Sequence, residues 1–176
     1  IDSLSTNVTY FFREESHFQA LRQIIPVMLN TPGKRGLLPK IRIWSAGCST
    51  GEEPYSLAIT ACECAVGAQA DVKIMATDIS TKVLSSAVKG IYDQDKVNTV
   101  PPVILKRYFQ MGFGMSEGYY RVKKEVRDMI QFLRFNLLAK LPNNYMFDII
   151  FCRNVMIYFD KATQASLINR FYHCLN

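Results

Sequence analysis

The sequence predicts an α/β domain on a doubly wound, mostly parallel sheet, and three observations predict it. β-Branched and aromatic runs recur at 41–46, 72–78, 129–135 and 147–152, and helical patterns alternate with them. The first strand leads into a helix through a glycine-bearing loop, Ala46-Gly47-Cys48-Ser49-Thr50-Gly51-Glu52-Glu53-Pro54-Tyr55-Ser56. In an open α/β sheet such a loop lies at the carboxyl end of a strand, where nucleotide-like ligands bind.

The elements follow in order. Residues 6–13 (Thr-Asn-Val-Thr-Tyr-Phe-Phe-Arg) mix aromatic, polar and basic side chains within one short stretch. Ser16 reads as the N-cap of a helix through Phe18, Leu21, Ile24, Ile25 and Met28, stopping before Thr31-Pro32-Gly33. A basic loop from Lys34 to Lys40 leads to the first strand, and the glycine loop to a helix over about 53–66. There Pro54 occupies the first turn, where its missing N–H is harmless. Strand 72–78 ends on Asp78, and Ser80 or Thr81 caps a short helix toward Val88.

The alternation breaks over about 90–128. Pro101-Pro102 opens a helix at 103–109, Gly112-Phe113-Gly114 is a turn, and 119–122 forms a short antiparallel strand, together a small inserted β-subdomain. Strand 129–135, Asn136-Leu137-Leu138, strand 147–152 and a helix over about 162–175 capped by Asp160 complete a single domain, 1–176. Only four parallel strands are counted before the chain stops after a helix, so further strands are expected beyond residue 176.

Composition narrows the classes. At 176 residues with 49% hydrophobic content the chain supports a real core. Its apolar runs fall far short of the ~20 residues a membrane helix needs. Five Cys without framework spacing read as thiols in a reducing cytosol, and two His give no zinc site, so no metal is expected. The net charge of +6 admits acidic partners without selecting one.

Polar residues gather at successive strand ends: Glu52 and Glu53 after the first, Asp78 closing the second, Asn136 after the third and Arg153-Asn154 after the fourth. These ends line one crevice. The glycine loop carries carboxylates and no Lys, which suits a ligand with hydroxyls and positive charge better than a triphosphate. An acidic residue ending the second strand can accept ribose hydroxyls, or else cap the next helix. Tyr158 beside Phe159 reads equally as core or as surface.

Five segments taken together resemble the chemotaxis receptor methyltransferases, the CheR family. They are Asn7–Glu14 (Asn-Val-Thr-Tyr-Phe-Phe-Arg-Glu), Gly47–Ser56, Ala76-Thr77-Asp78-Ile79, Asn136-Leu137-Leu138 and Phe151-Cys152-Arg153-Asn154-Val155-Met156-Ile157-Tyr158-Phe159. The resemblance implies the S-adenosylmethionine methyltransferase fold of class I, with S-adenosylmethionine as cofactor and glutamate side chains of bacterial chemoreceptors as substrate, in the cytoplasm. By position it implies that Asn7, Thr9 and Arg13 reach the cofactor from the amino-terminal segment. It gives Glu53 and Asp78 the amino and ribose groups, sets Asn136 and Leu137 beside the adenine, and closes the pocket with Arg153 and Asn154. Arg13 and Tyr158 match the positions considered catalytic. The inserted subdomain would correspond to one that docks a receptor tether peptide in some members. The family also has an amino-terminal helical domain and later strands outside this sequence.

The rival is an S-adenosylmethionine-dependent nucleic-acid methyltransferase. Base-amine methylation usually shows Asp/Asn-Pro-Pro-aromatic by the fourth strand, where this chain has Cys152-Arg153-Asn154-Val155. A nicotinamide dehydrogenase would need Gly-x-Gly-x-x-Gly after the first strand, which is missing. Neither nucleic acid nor membrane insertion is expected.

Overall fold

The computed structural model describes residues 9–30, 38–67, 69–141 and 145–176. Helix α1 (Glu15–Asn30) turns a stripe of Phe18, Leu21 and Ile25 into the core, the spacing of one helical face. Strand β1 (Lys40–Ala46) is followed by helix α2 (Glu52–Cys64), whose residues 54–61 are all buried between sheet and α1. Strand β2 (Asp71–Asp78) and helix α3 (Thr81–Lys89) follow, and Gly90 in the left-handed conformation stops that helix.

The next segment builds a second sheet. Strand β3 (Ile91–Asp93), short helices α4 (Gln94–Val97) and α5 (Pro102–Tyr108), strand β4 (Phe109–Met111) and strand β5 (Tyr119–Val122) give an antiparallel sheet of order β3-β5-β4. A one-turn helix α6 (Lys124–Arg127) returns the chain to the first sheet through strands β6 (Ile130–Arg134) and β7 (Ile149–Phe151). Helix α7 (Lys161–His173) then follows.

The first sheet is parallel throughout, in the order β6-β2-β1-β7. The chain winds outward from β1 through β2 to β6, then crosses back to the other side of β1. The carboxyl ends of β1 and β7 therefore flank a topological switch point, the usual place for a ligand crevice in such sheets. Register aligns that edge: Ala46 pairs with Thr77, Asp78 with Arg134, and Ser45 with Phe151. Apolar side chains fill both faces, with Ile43, Tyr55, Ile59 and Ile74 in one cluster and Trp44, Met75 and Phe147 in the other.

Several expected boundaries shift. Helix α1 begins at Glu15, so Ser16 lies inside its first turn. Glu14 is left-handed (φ 59°) and its carbonyl already accepts the His17 amide at 3.0 Å. Ser80 does hold the N-cap position of α3, but its hydroxyl makes no capping bond. The last strand pairs only over 149–151, because Asp148 turns to accept the Arg42 amide at 2.7 Å while Phe147 bridges to Leu175. Asp160 does cap α7, accepting the Thr163 amide at 2.8 Å. Cys62 and Cys64 are free thiols, each only partly buried. Among the described residues, no helix is long and apolar enough to cross a membrane.

Candidate functional site

The glycine loop is clamped before it can hold anything. The Gly47 and Cys48 amides both donate to the Thr77 carbonyl at 2.8 Å, so the loop folds over the end of β2. Gly47 has φ 86°, and a Cβ there would sit 2.3 Å from Val155 Cγ2, which packs the loop against the turn after β7. Gly51 caps α2 with φ 100°, where a Cβ would lie 2.8 Å from the Tyr92 hydroxyl. Both positions need a residue without a side chain.

Asp78 closes β2 and uses both carboxylate oxygens locally. One accepts the Ser49 amide at 2.9 Å and the other the Ser80 amide at 3.0 Å. Each oxygen keeps a free lone pair. Asp78 thus orders the glycine loop and the entry to α3 together, which joins the capping role to a place on the rim. Asn136 lies beside it, since the Phe135 amide donates to the Asp78 carbonyl at 2.9 Å. The Asn136 side chain closes its own turn, accepting the Leu138 amide at 2.9 Å. Leu137 packs on the Trp44 cluster.

Glu53 and Arg153 form the centre of the crevice. The Glu53 side chain is 14% exposed; it accepts the Ser45 hydroxyl at 2.7 Å and faces Arg153 Nη1 at 3.3 Å. Burial pushes its carboxyl above the ordinary range, with the Ser45 hydrogen bond and the Arg153 charge pulling the other way. Arg153 donates from Nη2 to the Arg13 carbonyl at 2.6 Å, reaches Glu14 at 3.3 Å, and lies 6.0 Å from the rings of Phe18 and Phe151.

The turn that carries Arg13 is strained. Phe12 and Glu14 have φ of 56° and 59°, a conformation costing roughly 1–2 kcal/mol for a residue with a side chain. It persists because the Phe12 amide donates to Ser56 Oγ at 3.0 Å, Arg153 holds the Arg13 carbonyl, and Phe11 is buried edge-on against Tyr92 and Phe109. The Arg13 guanidinium lies 5.8 Å from the Tyr10 ring. Asn154 is left-handed too, with φ 57°.

The structure therefore brings Arg13, Glu53 and Arg153 together, with Asp78 and Asn136 along the same edge. Thr9 joins through its backbone, its carbonyl accepting Lys96 Nζ at 3.4 Å. Tyr158 stands on a 3₁₀ turn after β7, 51% exposed, its hydroxyl without a hydrogen bond among the described residues. Asn7 lies outside the described residues. Glu52, grouped with Glu53 by sequence, instead turns inward; it is fully buried and meets Lys96 at 3.1 Å. Lys96, Tyr92 and the Ser45 hydroxyl were missed, because no motif marks a residue that supports a loop from behind.

Two buried polar atoms at this rim have no partner among the described residues: Ser49 Oγ and Arg153 Nε. A buried polar atom left unpaired is costly, so a ligand at the rim that pairs with these two is favoured. With the carboxylates of Glu53 and Asp78 they suit a ligand bearing ammonium, carboxylate and hydroxyls. Cysteine nucleophiles do not fit the site, since burial pushes Cys152 up to about 12 and Cys48 higher still. Among the described residues no group of three or more His, Cys, Asp or Glu could hold a metal ion.

The family model described as the CheR methyltransferase SAM-binding domain matches residues 7–176. The chain belongs to the CheR methyltransferase family. Its cofactor is S-adenosylmethionine. The chemotaxis protein methyltransferase of Salmonella typhimurium is 45% identical to this CheR domain over 172 residues, covering 97% of this chain and 57% of that protein. That of Escherichia coli is 44% identical over 174 residues, with the same coverage of 97% and 57%. The chain thus spans little more than half the length of these relatives. A crystal structure of the glycopeptide N-methyltransferase MtfA complexed with sinefungin superposes with a TM-score of 0.51 at 12% identity, covering 98% of this chain and 49% of that one. At that identity the likeness is one of fold, and it bears out the doubly wound sheet for this CheR domain.

Proposed function

We propose that residues 1–176 form one catalytic domain with an inserted subdomain, and that the protein methyl-esterifies glutamate side chains of bacterial chemoreceptors in the cytoplasm. One observation carries the reading: Arg153 ties the strained turn bearing Arg13 to the largely shielded Glu53 at the switch point, so donor site and substrate mouth are built as one unit. Glu53 takes the donor's ammonium, Asp78 its ribose hydroxyls, and Asn136 and Leu137 the adenine edge. Asn7, Thr9 and Arg13 reach it from the amino-terminal segment, and Arg153 and Asn154 close the pocket.

When bound, the donor supplies an electrophilic methyl on a sulfonium. A glutamate side chain has a pKa of ~4.3 and reaches the site already ionised, so no general base is needed. What the chain must provide is alignment, exclusion of water and a counter-charge for the incoming carboxylate. Arg13 meets that carboxylate as a positive partner, held in place through its own backbone carbonyl. The Tyr158 hydroxyl, uncommitted among the described residues, is free to orient one carboxylate oxygen.

The net charge of +6 favours encounter with glutamate-rich receptor helices. On the inserted sheet, a groove of about 420 Å³ lined by Arg121, Lys123, Lys124 and Arg127, against the single carboxylate of Glu125, suits an acidic tether peptide. The test is transfer of labelled methyl groups to receptor membranes. Label released by mild base is the expected ester, whereas base-stable label or none overturns the assignment.

A further inference from the structure

The inserted segment reaches the glycine loop by two polar side chains, Tyr92 on β3 and Lys96 on α4. The Tyr92 hydroxyl donates to the Thr50 carbonyl at 2.8 Å. Lys96, on α4, donates to Glu52 Oε1 at 3.1 Å and to the Thr9 carbonyl at 3.4 Å. Glu52 is 0% exposed, and its other oxygen accepts the Thr50 hydroxyl at 2.7 Å. Its backbone carbonyl accepts Ser56 Oγ at 2.7 Å, and Ser56 Oγ in turn accepts the Phe12 amide at 3.0 Å. One ammonium thus stands where the glycine loop, the amino-terminal segment and the strained turn before Arg13 meet.

A carboxylate shut away from water persists only with a counter-charge and hydrogen bonds. Lys96 is the only cation paired with Glu52 among the described residues, and it belongs to the inserted segment rather than to the crevice. We propose that Lys96 is a positioning residue for the cofactor: acting through Glu52 and the Thr9 carbonyl, it fixes the glycine loop and the amino-terminal segment in the arrangement that binds S-adenosylmethionine. The inserted sheet is then part of the donor site and more than a docking platform. The inference rests on the donor reading above and deepens it.

The test is titration calorimetry with S-adenosylmethionine on the full-length protein, wild type against Lys96→Met, together with hydrogen exchange of the Gly51 and Tyr55 amides in donor-free protein. Expected are a donor Kd raised about tenfold, faster exchange of both amides, and an unchanged KM for receptor. Glu52→Gln keeps the shape without a buried charge and serves if Lys96→Met does not fold. It should raise the donor Kd about threefold, and on that background Lys96→Met should add less than a further twofold. A donor Kd within twofold of wild type in Lys96→Met, or in Glu52→Gln alone, overturns the proposal, as do unchanged exchange rates. Wild-type protein that gives no heat with S-adenosylmethionine overturns the donor reading itself, and this proposal with it.

Discussion

Replacing Gly47 by Ala tests the crevice at its tightest point. The new Cβ would stand 2.3 Å from Val155 Cγ2, more than an ångström inside the ~3.5–4.0 Å of optimal carbon contact. Two costs add. Holding alanine at φ 86° costs roughly 1–2 kcal/mol, and forcing a methyl into filled space costs roughly 1–3 kcal/mol more. Equilibrium urea unfolding should therefore show a loss of about 2–5 kcal/mol. The structure also says how to separate the parts. On a Val155→Ala background the blocking methyl is gone, so Gly47→Ala should cost only the backbone share, about 1–2 kcal/mol. A coupling of about 1 kcal/mol or more between the two sites is the expected result. Equal losses on both backgrounds, or a loss under about 0.5 kcal/mol, would refute the packing argument.

Four further outcomes are expected. Because burial raises the folded-state pKa of Glu53, that residue contributes stability that is full below its unfolded value of ~4.3 and is lost as pH rises through the raised value. Donor ammonium selects the ionised form, so binding near the raised value should release a proton; calorimetry in buffers of different ionisation heat should see this in wild type and not in Glu53→Gln. Arg153→Met removes the partner of Glu53 and the tie to the Arg13 carbonyl, and should cost about 3 kcal/mol in urea unfolding, the low end for a broken buried pair because Glu14 is 44% exposed. Arg13→Ala should lower turnover on receptor about 10²-fold, and near-normal turnover removes it from the mechanism. Tyr158→Phe should reduce kcat about tenfold with donor Kd unchanged, and an unaltered kcat excludes its hydroxyl.

Much of the architecture was legible because two periodicities dominate it. The four runs of β-branched and aromatic residues became the four parallel strands, and Pro54 marked the first turn of α2 as expected. The break at Gly90 announced the inserted sheet, since a left-handed cap ends α3 there. Order across the sheet was less legible, because no local pattern records that β7 crosses back beside β1. Boundaries moved where a hydrogen bond competes with a propensity, as at Glu14 ahead of Ser16 and at Asp148 before β7. In the site, the residues on strand ends could be found by counting to the end of each strand. Their supports could not: Glu52 and Glu53 are adjacent and chemically alike, yet helical geometry turns one to the crevice and the other to Lys96.

Trp44 is the single tryptophan of the chain and sits at 3% exposure in the middle of β1. Its indole N–H is held by the Thr77 hydroxyl at 2.9 Å, one residue before Asp78, and its ring lies 6.1 Å from Phe135, one residue before Asn136. The chain therefore carries one indole, selectively excited at the red edge where its nine tyrosines do not absorb, mounted between the two strand ends assigned to the sugar and the base. Its emission offers a label-free optical gauge of that wall, readable without modifying a single side chain.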